Sequence, residues 1–143
     1  MKYHFKYFTD KNGEYHAKGI ELKDFQIGAD SFEELKQVTQ EMLDLYLDEV
    51  TNSKLIFPQP SKKEVKGKNI IAVSPDPNIL FVQTLRMLRV KQKLTIEDVS
   101  KKMGYKKAWD YLKYEKRKVN PTFETLIKIK EVFPELDLNE IIS

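Results

Sequence analysis

The chain has no cysteine at all, which excludes a disulfide framework, a thiolate metal centre and cysteine catalysis. It has two histidines, so no histidine-rich metal tract is present, and only five glycines, with no glycine-rich phosphate loop among them. Long apolar runs are missing too. The longest are of the type Ile70 to Val73, far short of the ~20 apolar residues that a membrane helix needs. With no signal-type segment at its start, the sequence is expected to stay in the cytoplasm and away from membranes.

What is present is a folded composition, 41% hydrophobic and 33% charged over 143 residues, enough for one ordinary domain or two small ones. The net charge of +3 conceals an uneven distribution. Asp10 to Glu49 holds eleven acidic residues against four lysines, whereas Arg86 to Lys118 holds twelve basic residues against four acidic ones. Two halves of opposite sign point to two partners of opposite charge.

The first half carries strand signals. In KYHFKYF, Tyr3, Phe5 and Tyr7 alternate with Lys2, His4 and Lys6, the period-2 pattern of a half-buried strand. DKNG (10–13) predicts a turn into a second strand over 14–22, and a third short strand is expected near Phe25 to Ile27. Asp30 and Ser31, each followed three residues on by a glutamate, open a long helix whose apolar face takes in Leu35, Val38, Met42, Leu45 and Val50, to about residue 51. FPQPS breaks the pattern and IIAV (70–73) reads as a further strand, so the first unit is β-β-β-α-β over residues 1–75. SPDP (74–77) marks the boundary, with Asp76 and Pro77 opening the helical unit 76–143. The fold class expected is α+β.

In the second unit helices are expected at about 77–92 and 96–103, the latter capped by Thr95 with Asp98 and closed by Gly104. A third covers MGYKKAWDYLKYEKRK (103–118), a fourth runs from Pro121–Thr122 to Val132, and a short last one follows Asp137. Helix, tight glycine turn, helix is the geometry that seats a second helix in a DNA major groove. The string TLRMLRVKQKLTIEDVSKKMGY…YEKRKVNPTFETLIKIKEVF resembles the lambda-repressor and Cro-like helix-turn-helix family. Arg117 stands where that family usually has glycine, and the Gly104–Glu115 spacing is one residue longer than common, which leaves the register of the third helix open. DNA contacts are expected from Thr95, Lys106, Lys107, Trp109, Asp110 and Lys113, and phosphate contacts from Lys116, Arg117 and Lys118. Ala108, Tyr111, Leu112 and Tyr114 would form the inner face of the third helix, with Trp109 fitting neither side.

The first unit is similar to the N-terminal domain of HicB antitoxins. The matching elements are Gly13, Gly28 with Asp30, Leu45-Tyr46-Leu47 and Pro58-Gln59-Pro60-Ser61, while Ile20-Glu21-Leu22 departs from the usual proline-containing segment. The resemblance implies a partial ribonuclease-H-like fold without activity. It also implies a HicA-type mRNA-cleaving toxin as protein partner, met by Glu14, His16, Lys18, Glu21 and Asp24, and repression of the chain's own operon through double-stranded operator DNA. A homodimer, assembling further with toxin, would match a two-fold operator. A stand-alone regulator whose first unit senses a ligand or dimerises is the alternative. A metal-dependent ribonuclease is the rival from another class, but such a nuclease needs clustered carboxylates on its central strands, where strand 1 carries His4 and Lys6. No catalytic residue, metal ligand or cofactor is expected.

Overall fold

The computed structural model describes residues 1–48 and 56–142. They form two compact units, the first from Met1–Asp48 with Phe57–Asp76 and the second from Pro77 onward.

The first unit is a four-stranded sheet covered on one face by a helix. Strands β1 (Tyr3–Thr9), β2 (Tyr15–Gly19), β3 (Gln26–Ala29) and β4 (Ile70–Val73) lie in the order β3-β2-β1-β4, every pairing antiparallel. Alternation sends Tyr3, Phe5, Ala17, Ala29, Ile71 and Val73 to one face, all buried. Helix α1 (Phe32–Leu47) covers that face, opened by the Ser31 side chain, which accepts from the Glu34 N–H. Its buried stripe is Leu35, Thr39, Leu43 and Leu47, at successive i+4 steps. Met42 and Leu45, expected on the inner face, are 41% and 69% exposed because they lie off this stripe; Val50 and the expected end of the helix fall outside the described residues. The third strand starts at Gln26, one residue later than Phe25, which instead packs in the core on Phe5 at 5.0 Å between ring centroids.

His4 departs from the simple alternation. It belongs to the outer face yet is 3% exposed, because the segment after β2 folds back over it. Glu21 Oε1 accepts the His4 backbone N–H at 2.7 Å, Glu21 Oε2 meets His4 Nδ1 at 2.9 Å, and Ser61 Oγ donates to the same oxygen at 2.7 Å. A carboxylate only accepts, so Nδ1 carries the proton. Burial pushes the Glu21 carboxyl upward, but the hydrogen bonds from His4 and Ser61 outweigh it and the net shift is below the ordinary value. The FPQPS segment is tied down alongside: Tyr3 donates its phenol to Pro58 O at 2.7 Å, and Ser61 and Lys2 exchange backbone hydrogen bonds.

The second unit is all helical: α2 (Pro77–Lys91), α3 (Ile96–Lys102), α4 (Trp109–Glu115), α5 (Phe123–Val132) and α6 (Leu138–Ile142). Its core draws on Leu85, Leu88, Val99, Met103, Tyr111, Tyr114, Ile129, Phe133, Leu136 and Ile141. Among the described residues no helix is long and apolar enough to cross a membrane.

Candidate nucleic-acid interface

Thr95 caps α3 in the manner its sequence predicts: its hydroxyl accepts the Asp98 N–H at 3.0 Å and Asp98 Oδ2 accepts the Thr95 N–H at 2.9 Å. The reciprocal bonds hold the Asp98 carboxyl below its ordinary range, chiefly through the Thr95 N–H. The helix ends in a Schellman turn, with Gly104 N–H donating to Lys101 O and Tyr105 N–H to Ser100 O. Gly104 takes φ +88°, a left-handed conformation in which a β-carbon is penalised.

The third helix is shorter than the sequence suggests. Lys106 and Lys107, expected at its start, lie in the connection before it, and α4 spans only Trp109–Glu115. The connection is pinned because Ser100, itself buried, donates its hydroxyl to Lys107 O at 2.5 Å. This anchoring consumes the residues that the periodicity had assigned to a first helical turn. Tyr111 and Tyr114 face inward as expected, Trp109 is 49% exposed at the first helical position, and Asp110 and Lys113 are half-buried. The Lys113 ammonium stands 5.4 Å from the centre of the Tyr114 ring.

The C-terminus of α4 is fixed from inside. Glu115 is 1% exposed, and Arg89 of α2 meets it through Nε at 2.7 Å and Nη2 at 3.1 Å. Arg86, also 1% exposed, reaches the same carboxylate at 3.7 Å. Two of the twelve basic residues of the 86–118 stretch are therefore interior structure and add nothing to a surface patch. The Tyr111 phenol lies in the same dry environment, and burial, with Glu115 beside it, pushes its pKa well up. The signal in the sequence was there: Val82, Leu85, Arg86 and Arg89 share an i, i+3, i+4, i+7 stripe, which puts two arginines on the apolar side of α2.

Beyond Glu115 the chain makes a second Schellman turn, Arg117 N–H to Tyr114 O and Lys118 N–H to Lys113 O, and Arg117 occupies the left-handed position with φ +55°. The glycine expected from the family pattern is replaced by a residue that costs roughly 1 kcal/mol there. Lys93 repeats the arrangement after α2, with φ +57°. Lys116, Arg117 and Lys118 are all exposed.

The exposed side of the unit thus presents Thr95 at the start of α3, Lys106 and Lys107 before α4, Trp109 on it, and Lys116 to Lys118 after it. Lys101 and Glu97 line one shallow depression with Lys106 and Lys107, and Lys93 lines a neighbouring groove with Thr95, Ala108 and Leu112. Lys101 and Lys93 are additions to the sequence-based set, recognisable only once the turns bring them beside α4.

The residues expected to meet a protein partner lie in the first unit, where Glu14 and His16 come together at the start of β2. Glu14 precedes β2, His16 and Lys18 are on its outer face, and Asp24 is exposed in the turn before β3. Glu21 is turned inward with both oxygens engaged by His4 and Ser61, which makes it a tie within the fold.

No curated protein matches the chain. Residues 85–141 match the helix-turn-helix family, and this part of the chain is a helix-turn-helix domain of the kind through which transcription regulators bind DNA.

Proposed function

We propose that this chain is a cytoplasmic transcription regulator that binds double-stranded operator DNA through α3, α4 and the basic residues flanking them, and has no catalytic activity of its own. The observation that carries this reading is the exposed set Lys106, Lys107, Lys116, Arg117 and Lys118, arranged on both sides of a recognition helix held in place by the buried Arg89–Glu115 pair. The side chains at the start of α4 would read base edges, and the loop after it would hold phosphates. Mobility-shift titration of the full chain on the DNA upstream of its own coding sequence tests this. Tight binding that is lost on unrelated DNA supports it, and equal binding to both opposes it.

For the first unit we favour the antitoxin role that its resemblance to HicB implies: occlusion of a small basic HicA-type ribonuclease, on a partial ribonuclease-H-like scaffold. The support is the sequence resemblance and the acidic excess from Asp10 to Glu49. The alternative, a sensing or dimerising unit in a stand-alone regulator, is equally compatible with a small sheet-and-helix domain. Co-purification of the full chain with the product of an adjacent short gene separates the two.

A homodimer is part of the proposal, since two-fold operators are matched by two-fold proteins. A second copy fits the apolar groove lined by Phe123, Leu126, Ile127 and Leu138, with Phe123 and Ile127 78% and 47% exposed.

A further inference from the structure

At the turn between β1 and β2 three side chains of metal-ligating chemistry converge. Asp10, Glu14 and His16 offer ligand atoms that all lie within 4.8 Å of one another. His16 Nε2 stands 2.9 Å from Asp10 Oδ2, a little inside the ~3–3.4 Å between neighbouring donors on a cation bonded at ~2.1 Å.

The ligands are held before any cation arrives. Asp10 Oδ1 accepts the backbone N–H groups of Asn12 and Glu14 at 2.8 and 3.0 Å, which leaves Oδ2 directed at the imidazole. Phe8 stacks on the His16 ring, centroids 5.1 Å apart and planes 16° from parallel, and so fixes its orientation. Across the sheet His16 is paired with Gly28, and the space there is open only because Gly28 has no side chain. A β-carbon at Gly28 would come within 3.1 Å of Glu14 Oε1 and 3.5 Å of His16 Nδ1. Outer contacts that orient carboxylate and imidazole are the ordinary support of a metal centre. Fold stability does not call for the cluster, since an ion pair as open to water as His16–Asp10 contributes little.

We propose that Asp10, Glu14 and His16 form a binding site for a divalent first-row transition cation of the zinc class. One imidazole with two carboxylates suits zinc, cobalt or nickel better than magnesium or calcium, which favour all-oxygen sets. A cation taking the place of the proton shared by Nε2 and Oδ2 would have both atoms as ligands and would clip the turn to β2. The site stands on its own geometry and does not depend on the DNA-binding reading.

The test is calorimetric titration of the full-length chain with zinc chloride in a non-coordinating buffer. One saturable site is expected, with affinity lowered at least roughly tenfold by Asp10→Asn and by His16→Gln. Gly28→Ala should weaken binding by crowding, and Glu33→Gln, an exposed carboxylate outside the cluster, should leave it unchanged. The chain has only two histidines, so imidazole resonances of the unmodified protein supply a second readout that needs no variant. Zinc should shift those of His16 and spare those of the buried His4. Absence of saturable binding, unchanged affinity in folded Asp10→Asn and His16→Gln variants, or unmoved His16 resonances would each overturn the site.

Discussion

Arg89 of α2 and Glu115 at the end of α4 form a two-point ion pair, 2.7 and 3.1 Å, with both side chains 5% exposed or less. Twenty-six residues apart in sequence, they fix where α4 ends and tie it to α2. The Arg89 Nη1 also donates to Leu94 O at 3.2 Å, so the same guanidinium ties the turn between α2 and α3 to α4.

Glu115→Ala should therefore destabilise the chain by ~3–5 kcal/mol, because two buried guanidinium groups lose their counter-charge in a dry setting. Lys116→Ala, one residue on and exposed, should change stability by less than ~0.5 kcal/mol. Denaturant titration of both variants checks the contrast. A Glu115→Ala loss no larger than that of Lys116→Ala would mean the buried pair is not what positions α4.

Arg117 allows stability and DNA affinity to be separated. Because its φ is +55°, Arg117→Gly should leave the fold as stable or up to ~1 kcal/mol more stable, while removing the phosphate contact proposed for this residue. The salt dependence of DNA binding should then fall by about one phosphate equivalent, alike on operator and unrelated DNA. Parallel thermal melts and binding titrations at several salt concentrations read both effects; a destabilised variant with unchanged DNA binding would show that Arg117 serves the fold instead.

Lys107 and Lys113 sit before and on α4, where the proposed DNA-binding mode would place sequence-specifying contacts. An alanine at a position that reads a base should cost ~1–3 kcal/mol on the operator and much less on other DNA. If Lys107→Ala, Lys113→Ala and Arg117→Ala all bind the operator as the parent does, the lysines are a solvated face.

Glu21 should make the first unit sensitive to acid. Its carboxyl in the fold titrates below its unfolded value of about 4.3, so the unfolded chain binds the extra proton first. The stabilisation is complete above that unfolded pKa and is lost as pH falls through the lower folded one. Melting temperatures between about pH 6 and pH 3 should drop less steeply for Glu21→Gln than for the parent. An unchanged slope would show that the His4–Glu21–Ser61 tie is not what titrates.

The groove on α5 offers a check on assembly. Ile127→Asp should reduce self-association and operator affinity together while sparing the monomer fold, since Ile127 is 47% exposed. A variant that stays dimeric by sedimentation at micromolar concentration would remove this face from the dimer contact.

The sequence alone determined the local elements wherever the signal was itself local. Alternation located β1, the Thr95–Asp98 box and Gly104 bounded α3, and Thr122 opened α5, because strand faces and helix caps are set by residues within four positions of each other. The tertiary structure decided what depends on distant partners. His4 looked exposed by periodicity, and Glu21 and Ser61 buried it. Arg86 and Arg89 counted as surface charge until Glu115 drew them inside. Lys106 and Lys107 seemed helical until Ser100 fixed the turn before α4. In Asp10, Glu14, His16 and Gly28 it brought a turn, a strand and its neighbour to one point. The physical reason is shared: a polar side chain carries no mark of its own burial, and only a partner brought close by the folded chain determines whether its hydrogen bonds are made with water or with protein.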